Sequence, residues 1–358
     1  MKQLDIYRTL KKDIAAHRFA PDNKLPSEDD LARRFTASRG TVRQALAQLQ
    51  REGLVEKRNG VGSFVTKRGD RKSGRIGLLI PDLAASEFFT AIHREVEATA
   101  RRIGYGTVLA TLEKTTPSQT ADTARHIARK LLAGRVEGVI FRPLIDERFT
   151  QSNQEIVRIL KNAETPFVLL DADVAPPPKR SPFDLVAINN VRAGQVIAQH
   201  LVERGRRRIA FLMSGSRIGS NANWKSRLFG VAGELAVQGF ETGVQTLSFP
   251  PDDVRALTAL LRNKARPDAI VCGNDETAVA LVRTLQARGV RIPDDIAVVG
   301  FDDAECARAS VPPLTTISQP VKLLARTALK TLFARIRVPD GEAREILLDA
   351  PLVERKST

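Results

Sequence analysis

From Arg75 onward the chain alternates short, almost uninterrupted apolar runs with helical patterns, and that alternation leaves few folds open. The runs are IGLLI (76–80), VEGVIF (136–141), FVLLD (167–171), RIAFLM (208–213), AIVC (269–272) and IAVVGF (296–301). Between them lie FFTAIHREVEATARRIG, EIVRILKNA, RLFGVAGELAVQG and ETAVALVRTLQARG, whose apolar residues recur at helical spacing. A strand that is apolar along its whole length is buried on both faces. The pattern therefore predicts an α/β fold with parallel sheets covered by helices. Pro176, Pro177 and Pro178 interrupt the alternation near its middle, as a stiff surface connection between two lobes would.

The segment before this region has a different character. Residues 1–72 carry 17 basic against 9 acidic side chains, whereas residues 73–358 carry 39 against 32, so about half of the formal charge of +15 sits in a fifth of the chain. A compact basic module attracts polyphosphate by Coulomb attraction and counterion release, which makes nucleic acid the leading partner of this part. Residues 67–74 (KRGDRKSG) contain no apolar side chain and read as a solvated linker.

Within the basic module, Leu4, Tyr7, Leu10 and Ile14 mark a first amphipathic helix. Ser27 followed by Glu28, Asp29 and Asp30 is an N-cap with acids in the first turn, where the helix dipole favours them, and predicts a short second helix. A third helix runs from about Arg39 to Glu52, with Val42, Ala45, Leu46 and Leu49 on one face and Arg39, Thr41, Arg43 and Gln44 near its exposed start. Polar and basic side chains in the first turn of such a helix are what insertion into a major groove requires. Two short strands then flank Asn59, Gly60, Val61 and Gly62, a hairpin with basic shoulders. No helix follows that Gly-x-Gly, which argues against a nucleotide-phosphate loop.

The string LPSEDDLARRFTASRGTVRQALAQLQREGLVEKRNGVGSFV resembles the winged helix-turn-helix of the GntR family. The resemblance implies that Arg39, Thr41 and Arg43 contact phosphates and base edges and that Gly60 to Gly62 enter the minor groove. The DNA-facing set it gives is Ser27, Ser38, Arg39, Thr41, Arg43, Gln44, Arg58, Gly60 and Gly62. Many members carry Arg where this chain has Asp29, so one usual DNA-facing cation is missing.

The region from about residue 75 resembles the effector domain of the LacI/GalR repressors, itself similar to periplasmic sugar-binding proteins of type I. The residues that carry this are Ile80-Pro81-Asp82 with Phe88-Phe89, VAINN (186–190) leading to HLVERGRRRIAFL, and GNDETAVALVRTLQARGVRIPDDIAVVGFDDAECARASVPPLTTISQP. The pairing of reader and sensor is similar to arabinose-repressor-type chimeras. It implies a reader over residues 1–68, a linker over 69–74 and a sensor over 75–358. Lobe one is expected at about 75–174 and 304–318, lobe two at about 184–303 and 319–358. The LacI hinge helix is replaced by the winged domain and linker.

In an open parallel sheet ligands sit beyond the carboxyl ends of the strands, and sugars call for flat aromatic faces with planar carboxylate, amide and guanidinium groups. The resemblance and this placement together give Phe88, Phe89, Asp171, Asn190, Asn221, Asn223, Trp224, Arg227, Phe249, Asn274 and Asp302 as effector-contacting candidates. Phe249 and Trp224 also suit packing, Asp275 and Asp303 suit helix capping, and Asp302 or Arg227 suits a structural ion pair. Asn189 stands where Asp is common in the family.

Enzymatic chemistry finds no foothold. His17, His93, His126 and His200 stand alone in helical patterns, and no GxSxG, HExxH or Walker loop occurs. Ser214-Gly215-Ser216 follows a strand but reads as part of the 214–227 loop, which by resemblance is the variable loop that tunes effector specificity. Cys272 and Cys306 form no CxxC and lie near no histidine, so no metal, disulfide or cofactor is expected. The charged start does not read as a signal peptide, and no stretch approaches a membrane span. The expectation is a cytoplasmic, homodimeric transcriptional repressor that reads inverted-repeat half-sites of double-stranded operator DNA under control of a carbohydrate effector, with no membrane partner. A solute-binding receptor for transport is the alternative, and the attached reader counts against it.

Overall fold

The computed structural model describes residues 3–15, 18–19, 24–51, 54–58, 61–65, 73–80, 87–111, 117–144, 149–175, 179–214, 221–240 and 243–358. The chain divides into two compact units, Met1–Ser73 and Gly74–Thr358. Gly60, linker residues 69–72, Pro81-Asp82 and Pro176–Pro178 lie outside the described residues.

The first unit is built from α1 (Gln3–Ala15), α2 (Glu28–Phe35), α3 (Arg39–Arg51), β1 (Val55–Arg58) and β2 (Gly62–Val65). The helices close over Ile6, Leu10, Leu31, Phe35, Val42, Ala45 and Leu49, a core that the spacing of apolar residues at three and four prescribes. Thr36, in the left-handed region at φ 48°, ends α2, and its backbone N–H returns to Ala32 and Arg33. β1 and β2 pair antiparallel from Val55↔Val65 to Arg58↔Gly62, forming the wing. Lys24 bridges to Phe64 and anchors the wing to the segment before α2. Buried Asp13 ties α1 to α2 through Arg34, at 2.8 Å.

The second unit contains β3 (Arg75–Leu79), α4 (Glu87–Arg102), β4 (Gly106–Ala110), α5 (Pro117–Ala133), β5 (Gly138–Phe141), α6 (Thr150–Asn162), β6 (Phe167–Leu170) and β7 (Leu185–Ile188). It continues with α7 (Asn190–Glu203), β8 (Ile209–Leu212), α8 (Ala222–Val237), β9 (Gln245–Leu247), α9 (Val254–Arg262), β10 (Ala269–Cys272), α10 (Asp275–Gln286) and β11 (Ala297–Val299). Last come α11 (Glu305–Ala309), β12 (Thr316–Ile317), α12 (Val321–Arg337), β13 (Glu345–Leu348) and β14 (Leu352–Val353).

Among the described residues two parallel sheets form, ordered β13-β7-β6-β5-β3-β4 and β11-β10-β8-β9. The central strands β5, β6, β7, β8 and β10 are buried throughout, as uninterrupted apolar runs require.

The division into lobes differs from the one drawn from sequence. β7 lies in the first sheet beside β6, so the proline stretch between them joins two neighbouring strands and not two lobes. α12 packs on β5, β6 and β7, and β13 pairs parallel with β7, which returns residues 321–348 to the first lobe. The physical anchor is Asp184, fully buried ahead of β7: it accepts from Arg335 Nε on α12 at 2.8 Å and from the Arg344 backbone N–H at 2.8 Å. Residues 304–315 belong with the second sheet. α11 packs on α10, and Thr315 bridges Val299. The chain therefore crosses between lobes near 189, 318 and 350.

α7 and α8 cross at two glycines. A Cβ on Gly194 would lie 2.1 Å from the Arg227 carbonyl oxygen, and one on Gly230 would lie 2.0 Å from that of Val191. This close approach fixes where α8 presents Arg227.

Candidate nucleic-acid interface and effector cleft

Ser27 accepts from the Asp30 N–H at 3.1 Å and donates to its carboxylate at 2.6 Å, so its side chain is committed to starting α2. Ser38 does the same for α3, accepting from the Thr41 N–H at 3.2 Å and sharing a 2.8 Å hydrogen bond with the Thr41 hydroxyl. Arg39 and Arg43 are one helical turn apart on the face opposite the core, with side chains 69% and 66% exposed, and Gln44 is exposed beside them.

Both arginines have acidic partners within the unit. Arg39 pairs with Asp29. Arg43 donates to Glu28 through Nη2 at 2.9 Å and Nε at 3.2 Å, and Lys57 of the wing reaches the same carboxylate at 3.1 Å. The Arg43 hydrogen bond, followed by that of Lys57, holds the Glu28 carboxyl below its usual range against partial burial. Arg58 stacks over Phe64 at 4.6 Å and bonds Glu56. Exposed pairs of this kind are weak and exchange readily for phosphate, so the acids pre-position the cations at small cost. Gly62 sits at φ 134°, and a Cβ added there would lie 3.1 Å from Lys24 Cε, so a side chain would be both strained and crowded. Lys57 is absent from the set inferred by resemblance; its place in the basic shoulder of the hairpin is the signal that points to it.

In the second unit, polar groups converge where the two sheets' carboxyl ends meet. Arg227, 4% exposed, donates Nε to Asn190 Oδ1 at 2.8 Å and Nη1 to the Gly273 carbonyl at 2.5 Å, with its plane 3.3 Å from the Phe301 ring centroid. Trp224 covers Gly273 so closely that a Cβ there would lie 2.3 Å from its ring. On the first lobe, Asp171 sits at φ 70° and accepts from Arg142 Nε at 3.3 Å. It also accepts from Asn223 Nδ2 of the second lobe at 3.1 Å. Arg142, 4% exposed, lies 4.1 Å over Phe89, which meets Phe88 edge-on at 5.3 Å. A second contact between lobes runs from the Glu305 N–H to Glu87 at 2.6 Å.

Asp302 and Gln319 complete the set, Nε2 of Gln319 donating to Asp302 Oδ1 at 2.6 Å. Burial pushes the Asp302 carboxyl up to about 8; Arg227 and Gln319 oppose the shift, while Asp275 and Glu276 add to it. Asp275 is pushed up to about 6 by burial, and its carboxylate is spent on the Thr316 hydroxyl (2.7 Å) and the Ala304 N–H (2.8 Å).

Other candidates serve locally. Asn221 caps α8 through the N–H groups of Asn223 and Trp224, and Asn274 caps α10 through that of Thr277. Asn189 caps α7. Phe249 packs against the core beneath the second sheet, and Phe88 belongs to the core under α4. Arg142 and Gln319 are not in the set inferred by resemblance; Arg142 directly follows β5, the position that marked the others, whereas Gln319 lies two residues after the short strand β12.

Asp302 and Asp275 keep their protons in the folded chain at pH values where the unfolded chain, with carboxyls near 3.8, has lost them. That contribution favours folding at low pH and is lost as pH rises towards about 8 for Asp302. Asp302→Asn removes the larger part. Its melting temperature is expected to exceed the parent's by a margin that grows from pH 5 to about pH 8 and then levels off, read from thermal melts between pH 5 and pH 9; curves parallel over that range would contradict the assignment.

The profile described as bacterial regulatory proteins, gntR family, matches residues 2–65, and that of a periplasmic binding protein-like domain matches residues 198–358. The chain is 30% identical over 379 residues to an arabinose metabolism transcriptional repressor of Geobacillus stearothermophilus, covering 100% of this chain and 98% of that protein. It is 29% identical to the HTH-type transcriptional repressor PurR of Photobacterium profundum, over 79% of this chain and 80% of that one. Among solved structures, a Lac repressor dimer bound to operator and an anti-inducer aligns with TM-score 0.66 and 26% identity, over 81% of this chain and 95% of that one. The complex of the transcriptional regulator CelR with cellobiose shares the fold, with TM-score 0.67 and 24% identity over 93% and 100% of the two chains.

Proposed function

The chain belongs to the GntR family of bacterial regulatory proteins, in the branch that joins the winged reader to a LacI-type effector domain, and from that premise we propose that it is a sugar-responsive repressor. It is a DNA-binding transcriptional regulator and not an enzyme. Ser27 and Ser38 start the two helices of the reader, Arg39, Thr41, Arg43 and Gln44 meet the major groove, and Arg58 and Gly62 carry the wing. The observation that supports this reading best is the exposed face of Arg39, Arg43 and Gln44 at the start of a helix whose opposite face is wholly core. Two copies paired through the sensor unit would address two half-sites of an inverted repeat. The protein would act in the cytoplasm, where its operator is; among the described residues no helix is long and apolar enough to cross a membrane.

The effector binds among Phe89, Asp171, Asn190, Asn223, Trp224, Arg227 and Asp302, where aromatic faces and planar polar groups suit a polyhydroxylated ring. A ligand that prefers one arrangement of the lobes shifts operator affinity, and operator shifts ligand affinity by the same factor. Selection from a random duplex library by the full chain tests the reading. The expected outcome is enrichment of an inverted repeat with half-sites about one helical turn apart, or a multiple of it. A pool that stays unenriched would favour the transport-receptor reading.

A further inference from the structure

Resting on the reading of α3 as the helix that meets the major groove, we propose that Asp29 is a specificity-determining residue: paired with Arg39, it forms one neutral unit that reads a single G·C base pair in each half-site. The first turn of α2 carries three acids with different partners. Asp30 is engaged within its own segment, by the Ser27 hydroxyl and Arg33. Glu28 accepts from Arg43 through both Nε and Nη2 and from Lys57 of the wing, so this group of two cations and one carboxylate keeps a net positive charge. Asp29 meets Arg39 at Nε. Among the described residues neither the terminal nitrogens of Arg39 nor the second oxygen of Asp29 has another hydrogen-bond partner. Both side chains are open to solvent, at 69% and 47%.

The pattern of donors and acceptors on this pair selects its target. Arg39 is the first residue of α3, where a recognition helix meets base edges, and it offers the N–H donors of two terminal nitrogens beside the carboxylate acceptor of Asp29. In the major groove a G·C pair presents two acceptors, guanine N7 and O6, followed by the cytosine N4 donor, the complement of donor, donor, acceptor. An A·T pair presents acceptor, donor, acceptor. It would set the adenine amino group against an Arg39 donor and thymine O4 against the Asp29 carboxylate. Charge points the same way. A carboxylate in contact with the guanidinium repels a phosphate but not the uncharged edge of a base, and a pair with no net charge releases few counterions. Anchoring Nε also leaves less rotamer freedom for Arg39 to lose on binding. The group of Arg43, Lys57 and Glu28, with its excess positive charge, suits the phosphate backbone instead. Arg39 with Asp29 supplies sequence preference, and Arg43 with Lys57 supplies salt-dependent affinity.

The full chain first selects a site from a random duplex library. Anisotropy titrations at several salt concentrations then compare that site with duplexes carrying each single base-pair change in the half-sites, for the parent, Asp29→Ala, Asp29→Asn and Arg39→Ala. The parent is expected to prefer G·C over A·T by roughly tenfold at one half-site position, within the range for a bidentate arginine, and Arg39→Ala to lose that preference. Asp29→Ala should lose it at the same position, yet bind unrelated duplex at least as tightly as the parent and with a steeper salt dependence, because the freed arginine turns to phosphate. Asp29→Asn, which keeps an acceptor without its charge, should retain part of the preference. Asp29 is exposed and Ser27 caps α2 without it, so thermal melts of these variants should stay close to the parent's. An Asp29→Ala protein that binds every duplex more tightly with its preferences unchanged overturns the proposal, since Asp29 then only repels phosphate, and leaves the reader assignment intact. So does a preference that survives Arg39→Ala, or one that Asp29→Ala removes at a different position. A library that yields no site counts against the proposal and against operator binding itself.

Discussion

Gly230→Ala destabilises the sensor unit by about 3 kcal/mol, at the upper end of the overpacking range, and removes effector binding with it. The new methyl would lie 2.0 Å from the Val191 carbonyl oxygen and 3.0 Å from the Gln195 nitrogen, both backbone atoms of α7 that cannot rotate away. The helices must separate, and α8 carries Arg227, whose bonds to Asn190 on α7 and Gly273 depend on that spacing. Gly194→Ala acts from the other side, its methyl 2.1 Å from the carbonyl oxygen of Arg227 itself. Gly233 on the same helix is the control. Nothing lies within 4 Å of its added Cβ, so Gly233→Ala is expected to stabilise by roughly 0.5–1 kcal/mol through helix propensity alone. Urea unfolding of the three variants decides the matter; equal midpoints for Gly230→Ala and Gly233→Ala would refute the close-crossing account.

Arg39→Ala and Arg43→Ala are each expected to weaken binding to the selected operator roughly 10- to 100-fold, as loss of a base or phosphate contact implies. The double variant should fall close to binding of unrelated duplex. Each lost phosphate contact lowers the slope of log affinity against log salt by about 1. Stability should stay within about 0.5 kcal/mol of the parent, because the pairs that hold these arginines, with Asp29 and Glu28, are exposed. Anisotropy titrations at several salt concentrations separate the two kinds of contact. Unchanged affinity in both single variants would remove α3 from the interface.

The reader was legible almost residue by residue because its signals are local: Ser27 and Ser38 cap helices within three residues, and Val42, Ala45, Leu46 and Leu49 repeat at helical spacing. In the sensor unit the buried central strands were legible for the same reason. β4, β9 and β13 were not, since edge strands carry half-exposed side chains and lack an apolar run. The return of α12 and β13 to the first lobe was hidden because it depends on Asp184 meeting Arg335 across 151 positions of sequence, a contact no local pattern encodes. At the cleft, Arg227, Asn190 and Asp302 were visible through resemblance and strand-end placement. The bonds that distinguish Asn223, which reaches Asp171 across the lobes, from Asn221, which caps a helix, exist only in three dimensions.

The central claim is that one chain couples a DNA-reading face to a ligand-binding cleft. It is tested most directly by measuring the dissociation constant for the selected operator with and without a saturating ligand, one found among monosaccharides, sugar acids and purines by the rise it gives in melting temperature. A change of roughly 5- to 150-fold is expected, the range typical of allosteric coupling, with operator changing ligand affinity by the same factor. Identical operator affinity in both conditions, for a ligand that demonstrably occupies the cleft, would contradict the account.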